Sequence, residues 1–272
     1  MVDFLEIERN LSKLQKNKKT VIIGASGGIG RKLALELAPT TQELVIHGLS
    51  QEKLDSLKDE IYENNYITIM NEFLSYPKVI DISYKFTPSF FTDEDDSSTE
   101  IAKNQLLEHI KTADTLCICY GPFLQKPLHL TTKSEWLESS SLVFALPGYF
   151  VSQVLPHMME QNFGRILLFG GTRTDSVNGY KTNAVYGAGK TAVCSLVKSV
   201  CLEYSQYGIR CNAILPGFVE TEYVSESQKN YYKNLLNSDN IIESNSIAKS
   251  AKFILENEDI NGVLFRVDRG WN

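Results

Sequence analysis

The feature that most limits how this chain folds lies near its start. Thr20-Val21-Ile22-Ile23-Gly24 reads as a β-strand. Gly24-Ala25-Ser26-Gly27-Gly28-Ile29-Gly30 follows and opens a helix whose Leu33, Ala34 and Leu37 fall at helical spacing. A pyrophosphate binds well at the start of such a helix, where free backbone N–H groups and the helix dipole favour negative charge. Side chains would block its approach, so glycines fill a turn of this kind. A glycine triplet means little in isolation. A strand before it and a helix after it are the context in which it cradles a dinucleotide phosphate. Gly24, Ser26, Gly28, Ile29 and Gly30 are therefore the expected cofactor-binding residues of the turn.

The same alternation continues along the chain. Glu43–His47 reads as a strand and Glu52–Tyr62 as a helix. Tyr66–Met70 and Lys78–Ile82 compete for the third strand, and the second is preferred. Glu100–Lys111 reads as a helix and Asp114–Tyr120 as a strand ending at Gly121. Trp136–Gln161 is a long helical stretch containing Pro147, which cannot donate a backbone hydrogen bond and is expected to bend it. Strand Arg165–Phe169, helix Tyr186–Tyr204, strand Ile209–Leu215, helix Ser246–Glu256 and strand Gly262–Val267 complete the pattern. Strands alternating with helices imply an α/β fold, with a doubly wound parallel sheet flanked by helices on both faces. With no Pro/Gly/Ser-rich linker and no repeat, residues 17–272 are read as one domain. Residues 1–16 form an N-terminal extension, where Phe4, Ile7, Leu11 and Leu14 suit a short amphipathic helix that packs on the domain or meets a partner. The acidic run Thr92–Thr99 reads as a solvated loop.

Composition excludes some function classes. At 272 residues and 43% apolar, the chain can bury a sizeable core. Lys plus Arg total 27 and Asp plus Glu 33, and the net charge of -6 argues against nucleic acid as a partner. No apolar run comes near the ~20 residues that cross a bilayer, and the charged N-terminus lacks the apolar core of a signal peptide. A cytoplasmic protein without membrane contact is expected. The five cysteines (Cys117, Cys119, Cys194, Cys201 and Cys211) show no framework spacing and read as reduced thiols. Cys117 and Cys119 share one strand face and read as buried small hydrophobes, with no metal site expected.

The spacing Gly-x-x-x-Gly-x-Gly resembles the short-chain dehydrogenase/reductase family. Other segments agree, in order. Asp114-x-Leu116 and a strand ending at Gly121 resemble its fourth strand, although Ile118-Cys119-Tyr120-Gly121 departs from the usual Asn-Asn-Ala-Gly. Tyr186-Gly187-Ala188-Gly189-Lys190 resembles its Tyr-x-x-x-Lys element, and Asn212 to Thr221 its Pro-Gly segment. Asn261-Gly262 and Val267 to Gly270 resemble its last strand. The resemblance runs from about Lys18 to the C-terminus. It implies a Rossmann-type fold, NAD or NADP as cofactor, and a homodimer or homotetramer.

Tyr186 and Lys190 lie four apart and share a helix face. A phenol with a pKa near ~10 is a poor base at neutral pH. A nearby ammonium and an oxidised nicotinamide would lower that pKa, so the tyrosine can pass a proton while hydride moves. The resemblance adds a bond from Lys190 to the nicotinamide ribose. It places Gly171 where the family usually carries a serine, with Thr172 next door as the substitute hydroxyl or a loop-bonding residue. It places Val143 where an asparagine often stands, near Ser139, Ser140 and Ser141. Pro216 and Gly217 are expected against the nicotinamide, Thr221 on its carboxamide or a phosphate, Gly121 beside the cofactor, Asp81 on adenine or as a strand-end turn former, and Asn212 in a structural role. Tyr223, Tyr231 and Tyr232 are candidates for a substrate lid.

The second strand ends without a carboxylate that would repel a 2′-phosphate, and His47, Ser50, Arg31 and Lys53 are its possible partners. NADP is therefore preferred over NAD. The expected function is an NAD(P)-dependent oxidoreductase that interconverts a small or medium carbonyl and alcohol, with Tyr186 as acid/base. Two alternatives follow from the missing serine and asparagine: reduction of a conjugated C=C or C=N bond, and a low-turnover dinucleotide-binding sensor or assembly protein.

Overall fold

Among the described residues seven parallel strands form the sheet, in the order β3-β2-β1-β4-β5-β6-β9. The computed structural model describes residues 19–68, 77–92, 97–236 and 241–270. The N-terminal helix read over residues 1–16, the boundary at residue 17 and residues 93–96 of the acidic run lie outside them. The chain winds outward from β1 (Lys19–Ile23) through α1 (Gly28–Leu37), β2 (Glu43–Gly48), α2 (Gln51–Thr68) and β3 (Lys78–Ser83). It returns through α3 (Ser97–Lys111) to β4 (Thr115–Ile118), beside β1. It then winds the other way through α4 (Lys133–Ser140), α5 (Leu146–Gln161), β5 (Gly164–Phe169), α6 (Ala184–Tyr204) and β6 (Ile209–Pro216). A two-stranded pair, β7 (Val219–Glu220) and β8 (Ile242–Glu243), brackets α7 (Glu226–Leu236). Helix α8 (Ser244–Glu256) leads to the edge strand β9 (Leu264–Val267). Lys78–Ile82 is in the third strand, while Tyr66–Thr68 extends α2.

Side-chain alternation explains why the strands read as continuous apolar runs. Val21, Ile23, Leu116, Ile118, Ile166 and Leu168 face one layer, with Leu106, Ile110, Phe150, Val154, Val193 and Val197 of α3, α5 and α6. Ile22, Leu44, Ile46, Cys117, Leu167 and Ile214 face the other, with Leu33, Leu37, Leu54, Leu57, Ala251 and Ile254 of α1, α2 and α8. Asp114, almost fully buried, ties the strand starts together. Its carboxylate accepts from Lys19 N at 2.7 Å, its N–H donates to the Lys19 carbonyl, and its carbonyl accepts from Arg165 N.

Helices α4 and α5 run on as one 29-residue helix through a π turn at Ser141–Ala145. Pro147 has no N–H for the carbonyl four residues back, and the widened turn lies just before it. By length and composition this helix could cross a membrane, which the sequence alone did not suggest. Half of its apolar window is buried in the protein, with Leu142, Val143, Leu146, Phe150, Val151, Val154 and Met158 packed inside.

One buried polar side chain fixes the turn after β1. His47 of β2 is fully buried, with Nε2 2.9 Å from the Tyr84 carbonyl and Nδ1 accepting from Gly24 N at 3.3 Å. Its own carbonyl accepts from Gly24 N and Ala25 N. These bonds need a neutral ring protonated at Nε2, and burial pulls its pKa from 6.5 to about 4. Between those values the unfolded chain takes up a proton that the folded protein refuses, so stability falls as pH drops through this window. We predict a loss of about 2 kcal/mol between pH 7 and pH 5 from this group. Urea melts at the two pH values should show that much more pH dependence in the wild type than in His47→Gln. Equal pH dependence would mean that the ring protonates freely in the fold.

Candidate active site

The β1–α1 turn is built by close approach. A Cβ on Gly30 would overlap the Gly24 carbonyl, so only glycine lets the helix start fold back against the strand end. Gly30 therefore shapes the turn, and the exposed backbone groups belong to its neighbours. Gly28 begins α1 at φ +54, in the left-handed region. Ser26 lies over the end of β2, where a Cβ on Gly48 would meet it.

A carboxylate already sits at this helix start. Gly28 N lies 3.1 Å from both Oε1 and Oε2 of Glu222. Lys53 Nζ is 3.9 Å from the same carboxylate and 4.9 Å above the Tyr223 ring. The helix N-terminus thus accepts anionic oxygens, and any Cβ at Gly27 would collide with Glu222 and Tyr223. A pyrophosphate has the same acceptor chemistry, so the turn fits the phosphates of a dinucleotide.

A cavity of about 640 Å³ opens beside the turn. Its walls include Ile29 from α1, Gly170, Gly171 and Thr172 after β5, Tyr186 of α6, and Pro216, Gly217 and Thr221 after β6. The sheet order reverses between β1 and β4, and the residues following β1, β5 and β6 meet at the carboxyl ends of these parallel strands. That is where open α/β sheets bind ligands.

Tyr186 and Lys190 come from one face of α6, as their spacing predicts. The Tyr186 ring meets Phe123 edge-on, with centroids 4.9 Å apart. Lys190 is buried, donates to the Phe169 carbonyl at 2.8 Å, and holds Nζ 5.7 Å from the Tyr186 ring centroid. It also lies so close to Gly121 that a Cβ there would come within 2.9 Å of Nζ. Burial pushes the Tyr186 phenol up to about 12 and pulls Lys190 down to about 8. From sequence the Lys190 ammonium is expected to lower the phenol. Lys190 is committed to the Phe169 carbonyl instead, desolvation dominates, and the phenol stays protonated.

The remaining candidates divide. Thr172 lines the cavity, and its hydroxyl donates to the Pro216 carbonyl at 3.2 Å. Thr174, buried beneath it, exchanges hydrogen bonds with Gly171 and shapes the loop. Val143 is buried in the π turn, and the nearby Ser139 hydroxyl is buried without a hydrogen-bond partner. Asn212 accepts from Val263 N and donates to the Ile260 carbonyl, the structural role expected. Asp81 stays away from the cavity, its carboxylate held by Lys58 at 2.8 Å and Gln51 at 2.5 Å. Among the proposed 2′-phosphate partners, His47 is sealed in the sheet and unable to serve. Arg31 reaches Glu60 at 2.7 Å, Ser50 accepts from Lys53 N, and Lys53 is half-exposed. Tyr223 and Tyr232 line the cavity, while the side chain of Tyr231 lies outside the described residues. Phe123, Arg173, Tyr180, Lys181, Phe218 and Glu222 were not singled out from the sequence. Among the described residues no group of acids, histidines and cysteines could hold a metal.

The sequence profile of the family described as short chain dehydrogenase matches residues 18–232. The chain is 25% identical over 268 residues to dehydrogenase/reductase SDR family member 6 of Rattus norvegicus, covering 94% of this chain and 98% of the relative. It is 26% identical over 280 residues to the 7alpha-hydroxysteroid dehydrogenase of Paraclostridium sordellii, covering 96% and 94%. A solved short-chain dehydrogenase/reductase from Serratia marcescens superposes with a TM-score of 0.74 at 19% identity, covering 93% and 97%, a likeness of fold.

The Glu222 carboxylate occupies the helix start that a cofactor phosphate would use. Glu222→Gln should therefore bind NADPH or NADH between about twofold and fivefold more tightly, the range expected for one exposed charge at a helix end. Titration by nucleotide fluorescence would measure it. Weaker binding would mean that the carboxylate helps to hold the cofactor.

Proposed function

The chain belongs to the short-chain dehydrogenase/reductase family of NAD(P)-binding oxidoreductases, and from that premise we propose that it interconverts a small or medium ketone and the matching alcohol. The observation that carries this reading is the meeting of Tyr186, Lys190 and the glycine turn around one cavity. A nicotinamide held there would supply or accept the hydride at the carbonyl carbon. In the reductive direction Tyr186 gives its phenolic proton to the carbonyl oxygen as the new C–H bond forms, leaving a phenolate. A phenol held at about 12 keeps that proton until it is needed. Lys190 holds the nicotinamide ribose and stabilises the phenolate. Thr172 takes the place of the serine by exchanging its bond to Pro216 for one to the substrate oxygen.

Gly24, Ser26, Gly28 and Ile29 hold the cofactor phosphates and adenosine ribose, with Gly30 keeping the turn open to them. Gly121, Pro216, Gly217 and Thr221 hold the nicotinamide half. NADP is the preferred form, supported by the absence of an acid at the end of β2 and by Lys53 and Arg31 nearby. Asp81 reaches adenine only by leaving Lys58. Exposed Trp136, Leu137 and Phe144 support a homo-oligomer formed through α4 and the π turn. Residues 17–272 act as one catalytic domain in the cytoplasm, on a small-molecule substrate. The apolar Val143 and the committed Thr172 hydroxyl also favour a second reading, reduction of a conjugated C=C or C=N bond.

Tyr186→Phe should lose at least about a hundredfold in turnover while keeping its cofactor affinity. Lys190→Met should damage both. Because Lys190 titrates at about 8, cofactor affinity should be flat below that pH and fall above it, and Lys190→Met should lose that dependence. Steady-state rates and fluorescence titrations across pH 6–10, with NADPH and NADH in parallel, test all three. Unchanged turnover in Tyr186→Phe would refute the proton-donor role.

A further inference from the structure

We propose that the substrate is an anion: a ketone or alcohol bearing a carboxylate on an apolar or aromatic body. This rests on the carbonyl–alcohol reading above and specifies which carbonyl compounds the site takes. Acids outnumber bases in the chain, 33 to 27, yet among the described residues the only charged ones lining the cavity are Arg173 and Lys181. Six aromatic residues also line it: Phe123, Tyr180, Tyr186, Phe218, Tyr223 and Tyr232.

Arg173 is also placed at some cost. Its backbone sits at φ +62, a conformation that non-glycine residues rarely adopt and that tends to occur at functional sites. Three bonds hold it there. Tyr180 Oη donates to the Arg173 carbonyl at 3.0 Å, Asn178 Nδ2 donates to the same oxygen at 2.8 Å, and Arg173 Nη2 donates to Asn178 Oδ1 at 3.3 Å. The loop after β5 therefore closes on itself and fixes this arginine at the cavity.

The guanidinium is not spent on an acid. Arg31 and Arg266 each end on a carboxylate, at 2.7 Å and 2.6 Å. Among the described residues Arg173 bonds only a neutral amide, and Lys181 has no ion pair. Glu222, in the segment over the cavity, is turned to Gly28. A planar fork and a point cation in an aromatic cavity suit a carboxylate, whose two oxygens match the fork.

Calorimetry on the protein saturated with NADP⁺ tests the site without turnover, using phenylacetate, phenylacetamide and phenyl phosphate as probes. Phenylacetate should bind at least about tenfold more tightly than the amide, and Arg173→Gln should bring the two within about twofold. Lys181→Gln should narrow the gap by a smaller factor. Equal binding of acid and amide, or a preference unaffected by both variants, would overturn the anion site. Tighter binding of phenyl phosphate than of phenylacetate would overturn its assignment to carboxylates. In turnover, 3-benzoylpropionate should exceed its methyl ester in kcat/KM by about tenfold or more, and Arg173→Gln should collapse that ratio. An ester reduced as well as the acid would overturn the anionic substrate while leaving the carbonyl-reductase reading intact. The expected calorimetric preference, with neither ketone reduced, would leave the anion site standing and count against the reductase reading.

Discussion

The Gly24 carbonyl lies where a side chain on residue 30 would have to be. That contact lets α1 begin directly over the end of β1, and its free N–H groups then face the carboxyl ends of the strands. His47 secures the strand side of the same turn, bridging Gly24 to Tyr84 from inside the sheet. A charged ring would have no acceptor for its second proton there, so the neutral state of one histidine is linked to the shape of the glycine turn. The seated Glu222 carboxylate shows what that shape attracts.

The winding of the sheet supplies the rest of the site. Strands β1 and β4 are neighbours although α1 to α3 lie between them in sequence, and the chain diverges to opposite sides from that pair. The gap above them is filled from the β5 and β6 ends, which bring Gly170 to Thr172 and Pro216 to Thr221 together. Lys190 binds this arrangement through the Phe169 carbonyl, so its ammonium anchors a strand end while lying beside Tyr186. Burial acts on the two side chains in opposite directions, keeping the phenol protonated and bringing the ammonium closer to neutrality.

The fold was readable in the sequence because its determinants are local. Apolar runs of strand length, helical spacing in Leu33, Ala34 and Leu37, and the glycine turn each report on a few neighbouring residues. Tyr186 and Lys190 were readable for the same reason, since four residues make one helical turn. The identity of His47 was visible but its environment was not: only the sheet register shows it to be sealed and unable to meet a 2′-phosphate. Asp81 was likewise visible as an acid of the third strand, but its pairing with Lys58 was not. Glu222, Arg173 and Lys181 carry no motif. Their positions depend on loops whose shape comes from tertiary bonds, such as Tyr180 to the Arg173 carbonyl.

We propose that the turn from Gly24 to Gly30 holds the phosphates of a nicotinamide dinucleotide. Gly28→Asp tests it most directly. Its Cβ would meet nothing closer than 3.4 Å, and aspartate tolerates the left-handed backbone there better than most residues. A carboxylate would then stand at the phosphate position in a folded protein. Calorimetric titration with NADPH, alongside thermal unfolding, should show at least about a hundredfold loss of affinity, ~2.7 kcal/mol, with the unfolding transition retained. A folded Gly28→Asp protein that binds NADPH as tightly as the wild type would contradict that assignment.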